Sequence, residues 1–205
     1  MFPIQTYTGG IASTNSHLLQ LPAGKILVDA PEGVADWLDE QDAYVETLLI
    51  THQHFDHVMD AAEVKARHGC RVIAWSPFSR DLTLERLFGA VTGSMMSVPA
   101  FEVDDVLAGQ DSVSACGVDW RLYHVPGHSP DSVCFHWEEK HLLFGGDVLF
   151  WGSIGRTDFP GGSQAMLVSG IQEKLLPLPD DTLVYSGHGP RTSIGVERRD
   201  NPFIQ

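Results

Sequence analysis

The sequence predicts an α/β fold, and three observations carry that expectation. Strand-like apolar runs occupy both halves of the chain. Segments with helical spacing follow the runs at 46–51 and 71–75, and another lies near the end. With 205 residues, 43% hydrophobic and 20% charged, the composition is that of a packed globular chain and not of a disordered or membrane-spanning one. Sheets covered by helices on their outer faces satisfy this order of elements.

The elements follow in sequence. Strands are expected at 16–21 (SHLLQL), 25–30 (KILVDA), 46–51 (ETLLIT) and 71–75 (RVIAW), where apolar residues alternate or run on with β-branched ones. A short helix is expected near 33–40. A longer one spans 57–68, where Val58, Ala61, Ala62 and Val64 fall on neighbouring turns and Gly69 ends the segment. Residues 79–89 (SRDLTLERLFG) read as a further helix. The stretch 89–110, rich in small residues and closing on an acidic patch, has the weakest pattern; it reads either as a loop beside a functional site or as a surface connector. Met95 and Met96 within it suit a pocket lining or the filling of core gaps. Strands resume at 119–125 (DWRLYHV), 132–137 (SVCFHW), 141–146 (HLLFGG) and 182–186 (TLVYS), with a helix at 163–176 closed by Pro177.

Bulk properties narrow the function classes. The length suits a single domain over 1–205, and a chain of this size buries roughly 70–75% of its unfolded surface, enough to fold without disulfides. A net charge of −14 with only 13 Lys and Arg argues against nucleic acid, whose phosphates require clustered cations. No run is long enough to cross a bilayer, and the first residues lack the pattern of a secretory signal. Cys70, Cys116 and Cys134 form no C-x-x-C pair and suit reduced, buried thiols in a cytoplasm. Some of the acidity has a second explanation: carboxylates that hold divalent cations are neutralised in the working protein.

One stretch concentrates chemistry. TLLITHQHFDHVMD places His52, His54, Asp56 and His57 within six positions, between an apolar run and a helix. Further candidates stand at strand ends beside turn residues: His128 in VPGHSPDS, Asp147 in FGGDVLF and His188 in YSGHGPRT. No packing requirement calls for five imidazoles and two carboxylates in such places. Divalent first-row cations do call for them, since they take neutral imidazole nitrogens and carboxylate oxygens. Seven donors exceed the needs of one ion and suit two. In an extended loop His52 and His54 point the same way, while Asp56 and His57 turn toward a second position; Asp56 also suits a simple helix N-cap. His17, His68, His136 and His141 read as structural or surface residues. His124 reads as a packed histidine or a partner of His128. Asp29 suits either a turn or a hydrogen bond that fixes a ligand histidine.

These pieces together resemble the metallo-β-lactamase superfamily. THQHFDH, VPGHSPDS, GGDVLFWGSIGRTDFPGG, YSGHGPRTSIG and ERRDNPF are most similar to its glyoxalase II-like hydrolases, in a short form without their extra C-terminal helical domain. The resemblance implies a four-layer αββα sandwich with the metals at one edge. It implies that His52, His54 and His128 hold one ion, that Asp56, His57 and His188 hold the other, and that Asp147 bridges. Two divalent ions per chain, Zn, Fe or Mn, are the implied cofactors. The implied activity is hydrolysis of a small-molecule thioester, a hydroxyacylglutathione, by a metal-bridging hydroxide, with Asp56 and Asp147 as catalytic carboxylates.

Gln53 departs from the small or apolar residue expected inside the motif, a change expected to be tolerated. Arg198 and Arg199 fall where the larger enzymes place basic substrate contacts, and are candidates for that role or an exposed basic pair. Arg156 and Asp158 are expected to form an ion pair that shapes their loop. The alternative is a persulfide dioxygenase of the same superfamily, with one iron on His52, His128 and Asp147. His188 in SGHGP favours the hydrolase, because it supplies a ligand for a second ion. A β-lactamase is expected to carry Cys in place of Asp147.

Overall fold

The computed structural model describes residues 4–93 and 96–204. Its first half builds one six-stranded sheet: β1 (Ile4–Gly9), β2 (Thr14–Leu21), β3 (Gly24–Val28), β4 (Thr47–Leu49), β5 (Arg71–Ala74) and β6 (Asp105–Val106), in that spatial order. The first two pairings are antiparallel and the last three parallel. Crossovers pass through α1 (Val34–Glu40), α2 (Phe55–Val58), α3 (Ala61–His68), α4 (Arg80–Thr83) and α5 (Glu85–Thr92). The second half builds β7 (Ser112–Ala115), β8 (Val118–His124), β9 (Val133–Trp137), β10 (Leu142–Gly146), a small hairpin of β11 (Leu149–Phe150) and β12 (Ser153–Ile154), then β13 (Leu183–Ser186) and β14 (Thr192–Ser193). Its main sheet runs β14-β13-β10-β9-β8-β7, with β10 and β13 parallel. The helices of this half are α6 (Gln164–Gly170), extended by a π-helical turn at Ile171–Leu175, and α7 (Ile194–Asp200).

Side-chain alternation sorts the apolar residues into layers. Leu19, Ile26, Val28, Leu49 and Ile73 face Trp120, Phe135, Phe144 and Tyr185 across the space between the two sheets. Their neighbours Leu18, Leu27, Leu48 and Val72 point outward onto Val34, Leu38, Val58 and Val64 of the first helical layer. On the far side Cys134, Leu143 and Val184 pack on Leu167, Ile171, Leu175 and Ile194. The strands therefore read as continuous apolar runs because both faces are buried, and the αββα sandwich is what satisfies both.

All eight expected strands are present. Six were not expected, β1, β6, β7, β11, β12 and β14, as was α7. They are two to four residues long except for β1 and α7, and β1 is an edge strand with half of its residues exposed and half partly buried. The helix expected over 57–68 is two, α2 and α3. Asp60 interrupts it because its backbone N–H donates to Ala30 O while its carboxylate accepts from the N–H groups of Gly33 and Ala35, holding the first turn of α1. Residues 79–89 also divide, at Leu84, whose φ of 56° is left-handed. The stretch 89–110 is more than a connector: Val98, Phe101 and Leu107 are buried, Met96 packs against the first helical layer, and β6 closes the sheet edge. Met95 lies outside the described residues. No described helix is long and apolar enough to cross a membrane.

Candidate metal centre

The candidate residues leave the sheets at one edge. His52, His54, Asp56 and His57 follow β4, His128 lies between β8 and β9, Asp147 follows β10, and His188 follows β13. The loops are tied to one another by backbone hydrogen bonds, Val133 N to Thr51 O at 2.9 Å and Gly187 N to Gly146 O at 2.8 Å. Asn15 closes the far side, its N–H donating to Gly187 O at 2.7 Å and its side-chain amide to Ser186 O and Gly189 O.

All seven predicted donors meet there. Three groups could each hold a cation: His52, His54 and His128; His52, His57 and Asp147; and Asp56, His57 and His188, with donor atoms of each group within 4.8 Å of one another. Asp147 reaches across the cluster, with Oδ1 3.3 Å from His57 Nε2 and Oδ2 3.4 Å from His128 Nε2 and 3.3 Å from His188 Nε2. Asp56 Oδ2 stands 3.6 Å from His57 Nε2 and 3.4 Å from His188 Nε2. Asp56 does not cap a helix: it lies in the first turn of α2, whose N-cap is His54, and its carboxylate accepts from Thr14 Oγ1 at 2.8 Å.

The partners behind the donors fix which nitrogen faces inward. Asp29, at a left-handed φ of 60°, accepts from Thr51 N and Oγ1 and stands 2.8 Å from His57 Nδ1. It thereby holds the His57 proton on Nδ1 and leaves Nε2 for the cluster, the role expected of a carboxylate behind a metal ligand. His128 Nδ1 is likewise held by Arg156 O at 2.8 Å. The inward atoms His52 Nε2, His57 Nε2, His128 Nε2 and Asp147 Oδ1 are buried with no hydrogen-bond partner. Buried polar atoms left unpaired are costly. Four of them aimed at one volume, from neutral-nitrogen and carboxylate donors, fit divalent cations.

Electrostatics agree with that fit. Burial pushes His52 well below its usual pKa, helped by His57, His54 and His128, and burial with His128 brings His54 down to about 3. Both offer lone pairs at neutral pH. Burial opposes ionisation of Asp147, but His57 and His188 overcome it and hold the carboxyl well below the usual range. Burial opposes the charged form of His57 too, and Asp147, Asp56 and Asp29 outweigh it; His188 is raised to about 10 by Asp147 and Asp56 against the same desolvation. The carboxylates thus demand positive charge between them, which divalent cations supply in place of protons.

Five of the donors, His54, Asp56, His128, Asp147 and His188, line a cavity of about 560 Å³, within the usual range for small-molecule sites, while His52 and His57 lie buried behind them. Its walls include Ile11, Phe88, Phe150, Ile154 and Phe159. Arg156 lines it while making the expected pair with Asp158, at 2.7 and 2.6 Å.

Residues 9–188 match the family model of the metallo-beta-lactamase superfamily. The chain belongs to that superfamily. Among its relatives, the hydroxyacylglutathione hydrolase GloC of Haemophilus influenzae is 38% identical over 82% of this chain and 79% of its own. A solved structure named as the BLEG-1 B3 metallo-beta-lactamase superposes with a TM-score of 0.86 at 31% identity, covering 98% of this chain and 99% of its own. TTHA1623, solved in a di-iron-bound form, superposes with a TM-score of 0.82 at 33% identity, covering 97% and 99%.

Not every expectation places a residue at this superfamily site. Arg198 donates to Asp180 and to the carbonyls of Leu176 and Leu178, Arg199 pairs with Asp200, and neither borders the cavity. Arg198 thereby ties α7 to the segment before β13, and Arg199 bonds its own neighbour on the helix. His124 stacks on Trp75 at 4.0 Å and bonds Pro130 O, so it is a packed histidine. Gln53 is more than tolerated: buried, it donates to Ser76 O, Ser76 Oγ and Pro77 O and accepts from Ser79 N. Thr14 and the phenylalanine wall escaped the sequence reading, and Gly187 was read only as a turn residue beside His188. Phe150 and Phe159 stood in the singled-out segments FGGDVLF and GRTDFP, without a role read for either.

Proposed function

We propose that the protein is a dinuclear metallohydrolase of thioesters whose substrate class is a hydroxyacylglutathione. The observation that carries the proposal is Asp147, whose two oxygens face His128 and His188, members of different donor groups, as well as His57. On this reading His52, His54 and His128 would hold one cation and Asp56, His57 and His188 the other, with Asp147 shared between them. Bound there, the cations would lower the pKa of a water toward neutrality and polarise the acyl carbonyl.

The chain supplies the rest. Asp56, steadied by Thr14 and facing the cavity, would orient the attacking water as a hydrogen-bond acceptor, and the proton of the acidified water would leave to solvent. Its own pKa, brought to about 2 by His57 and by hydrogen bonds from His188 and Thr14 against the opposing effect of burial, keeps it ionised for that task. The leaving thiolate needs no strong acid, since thiols ionise near pH 8.5. The likeness to GloC supports the thioester and its carrier. The likeness to BLEG-1 supports a second reading, β-lactam hydrolysis at the same centre.

Elemental content and turnover test these readings together, on acyl thioesters of glutathione and coenzyme A beside a chromogenic β-lactam. About two ions per chain and thioester cleavage abolished by chelator are expected. One iron with oxygen consumption on a persulfide would instead establish the dioxygenase. Asp147→Ala is expected to lose activity and metal together; normal turnover at full metal content would remove Asp147 from the centre.

A further inference from the structure

We infer that the aromatic wall of the cavity is an acyl-recognition subsite, taking an uncharged apolar substituent, aryl or branched alkyl, on the acyl group of the thioester. The inference rests on the thioesterase reading and sharpens its substrate class.

The wall is continuous with the donor cluster. Phe159 sits edge-on to His54, with ring centroids 5.6 Å apart, and Phe88 packs near Phe159 at 5.8 Å and on Phe55 at 4.6 Å. Across the cavity Phe150 stands 6.2 Å from His188. An acyl carbon placed at the donors therefore has phenylalanine near both His54 and His188, at distances that a substituent larger than methyl spans. Phe88, Phe150 and Phe159 are only half-buried, so apolar surface remains for a ligand to cover.

Charge decides which end of the substrate lies against this wall. Among the described residues Arg156 is the only Arg or Lys lining the cavity; it lies 4.2 Å over the Phe159 ring and is matched twice by Asp158. It brings no net positive charge, and the chain as a whole carries −14. A glutathionyl group, with two carboxylates and an ammonium, would lose hydration against phenylalanine without compensating partners. The acyl substituent bears no charge and gains by leaving water. A methyl substituent, as in a lactoyl group, reaches little of the wall, whereas a phenyl ring can lie edge-on to Phe159 as His54 does.

The test keeps the carrier fixed. Lactoyl- and 2-hydroxy-2-phenylacetyl-glutathione are compared with the metal-loaded enzyme, and the two free hydroxy acids are compared by calorimetric binding. We expect kcat/KM to favour the phenyl substrate by about tenfold or more, with the phenyl acid binding more tightly. Phe159→Ala, and separately Phe88→Ala, should bring that ratio toward unity; either variant suffices should the other fail to fold. Turnover of both thioesters with the lactoyl compound equal or preferred would overturn the subsite and leave the thioesterase standing. Failure to cleave either one at full metal content would remove both.

Discussion

At Gly187 the lack of a side chain is what lets two donor-bearing loops close on one another. A Cβ there would collide with Asp147 Oδ1 and lie 2.6 Å from His57 Cε1. Gly187→Ala must push apart two members of the donor cluster, and neither has room to retreat because both are buried. We expect it to lose bound metal and at least about a hundredfold in turnover, the scale on which an ångström of misplacement acts. Elemental analysis beside kinetics checks this, and full metal content would show that the loops can open. Gln53 is a second residue whose importance its type concealed. Gln53→Ala removes the acceptor for Ser79 N and the donor to Ser76 and Pro77, at a cost of about 1–3 kcal/mol. Urea unfolding measures it; a change below about half a kcal/mol would mean that water replaces the amide.

Strand β2 carries a pH dependence of its own. His17 reaches from the first sheet to the second, its ring 5.7 Å from Phe144 and 5.2 Å from Tyr185, and bonds Thr6 Oγ1. Burial lowers its pKa to about 4, from an ordinary 6.5, and the hydrogen bond to Ser186 O recovers only part of the difference. The folded chain keeps His17 neutral where the unfolded chain binds a proton. Its contribution is therefore whole above pH 6.5 and is lost as pH falls toward 4. The loss amounts to about 3 kcal/mol, since each tenfold change in proton affinity is worth roughly 1.4 kcal/mol. His17→Gln should flatten that part of the acid limb in urea titrations at pH 7 and pH 5. An unchanged difference between the two pH values would assign the acid sensitivity elsewhere. The helices show how the elements depart from simple periodicity: α2 and α3 would be one helix but for Asp60, which is engaged with α1. A pattern in one segment cannot report a partner almost thirty residues away.

For the whole molecule, the unfilled donor cluster is a cost to stability that bound cations would offset. Four inward atoms are buried without hydrogen bonds, and the carboxylates and imidazoles share charge that cations would balance. Chelation should lower the stability of the fold, by about 2.7 kcal/mol for metal held at a hundred times its dissociation constant. Thermal unfolding with and without chelator measures it, and an identical Tm would mean that the cluster is satisfied without metal. The loss should fall first on the loops after β4, β10 and β13, because they meet at the site edge of the sandwich, where both sheets end.

The residue pattern alone determined the class of fold, the eight principal strands and the seven donors. Both layers of information were local: apolar runs buried on two faces look unlike half-exposed strands, and imidazoles crowded at a strand end have no packing purpose. The short edge strands left too little alternation to be read, and α7 likewise went unmarked. Only the tertiary structure decided which donors share a group, that Asp29 stands behind His57 while Arg198 ties α7 to the segment before β13, and that phenylalanines from distant segments wall the cavity. Those facts depend on which loops the two sheets bring to one edge, and that juxtaposition is fixed by long-range strand pairing and layer packing, which no single segment of the chain records.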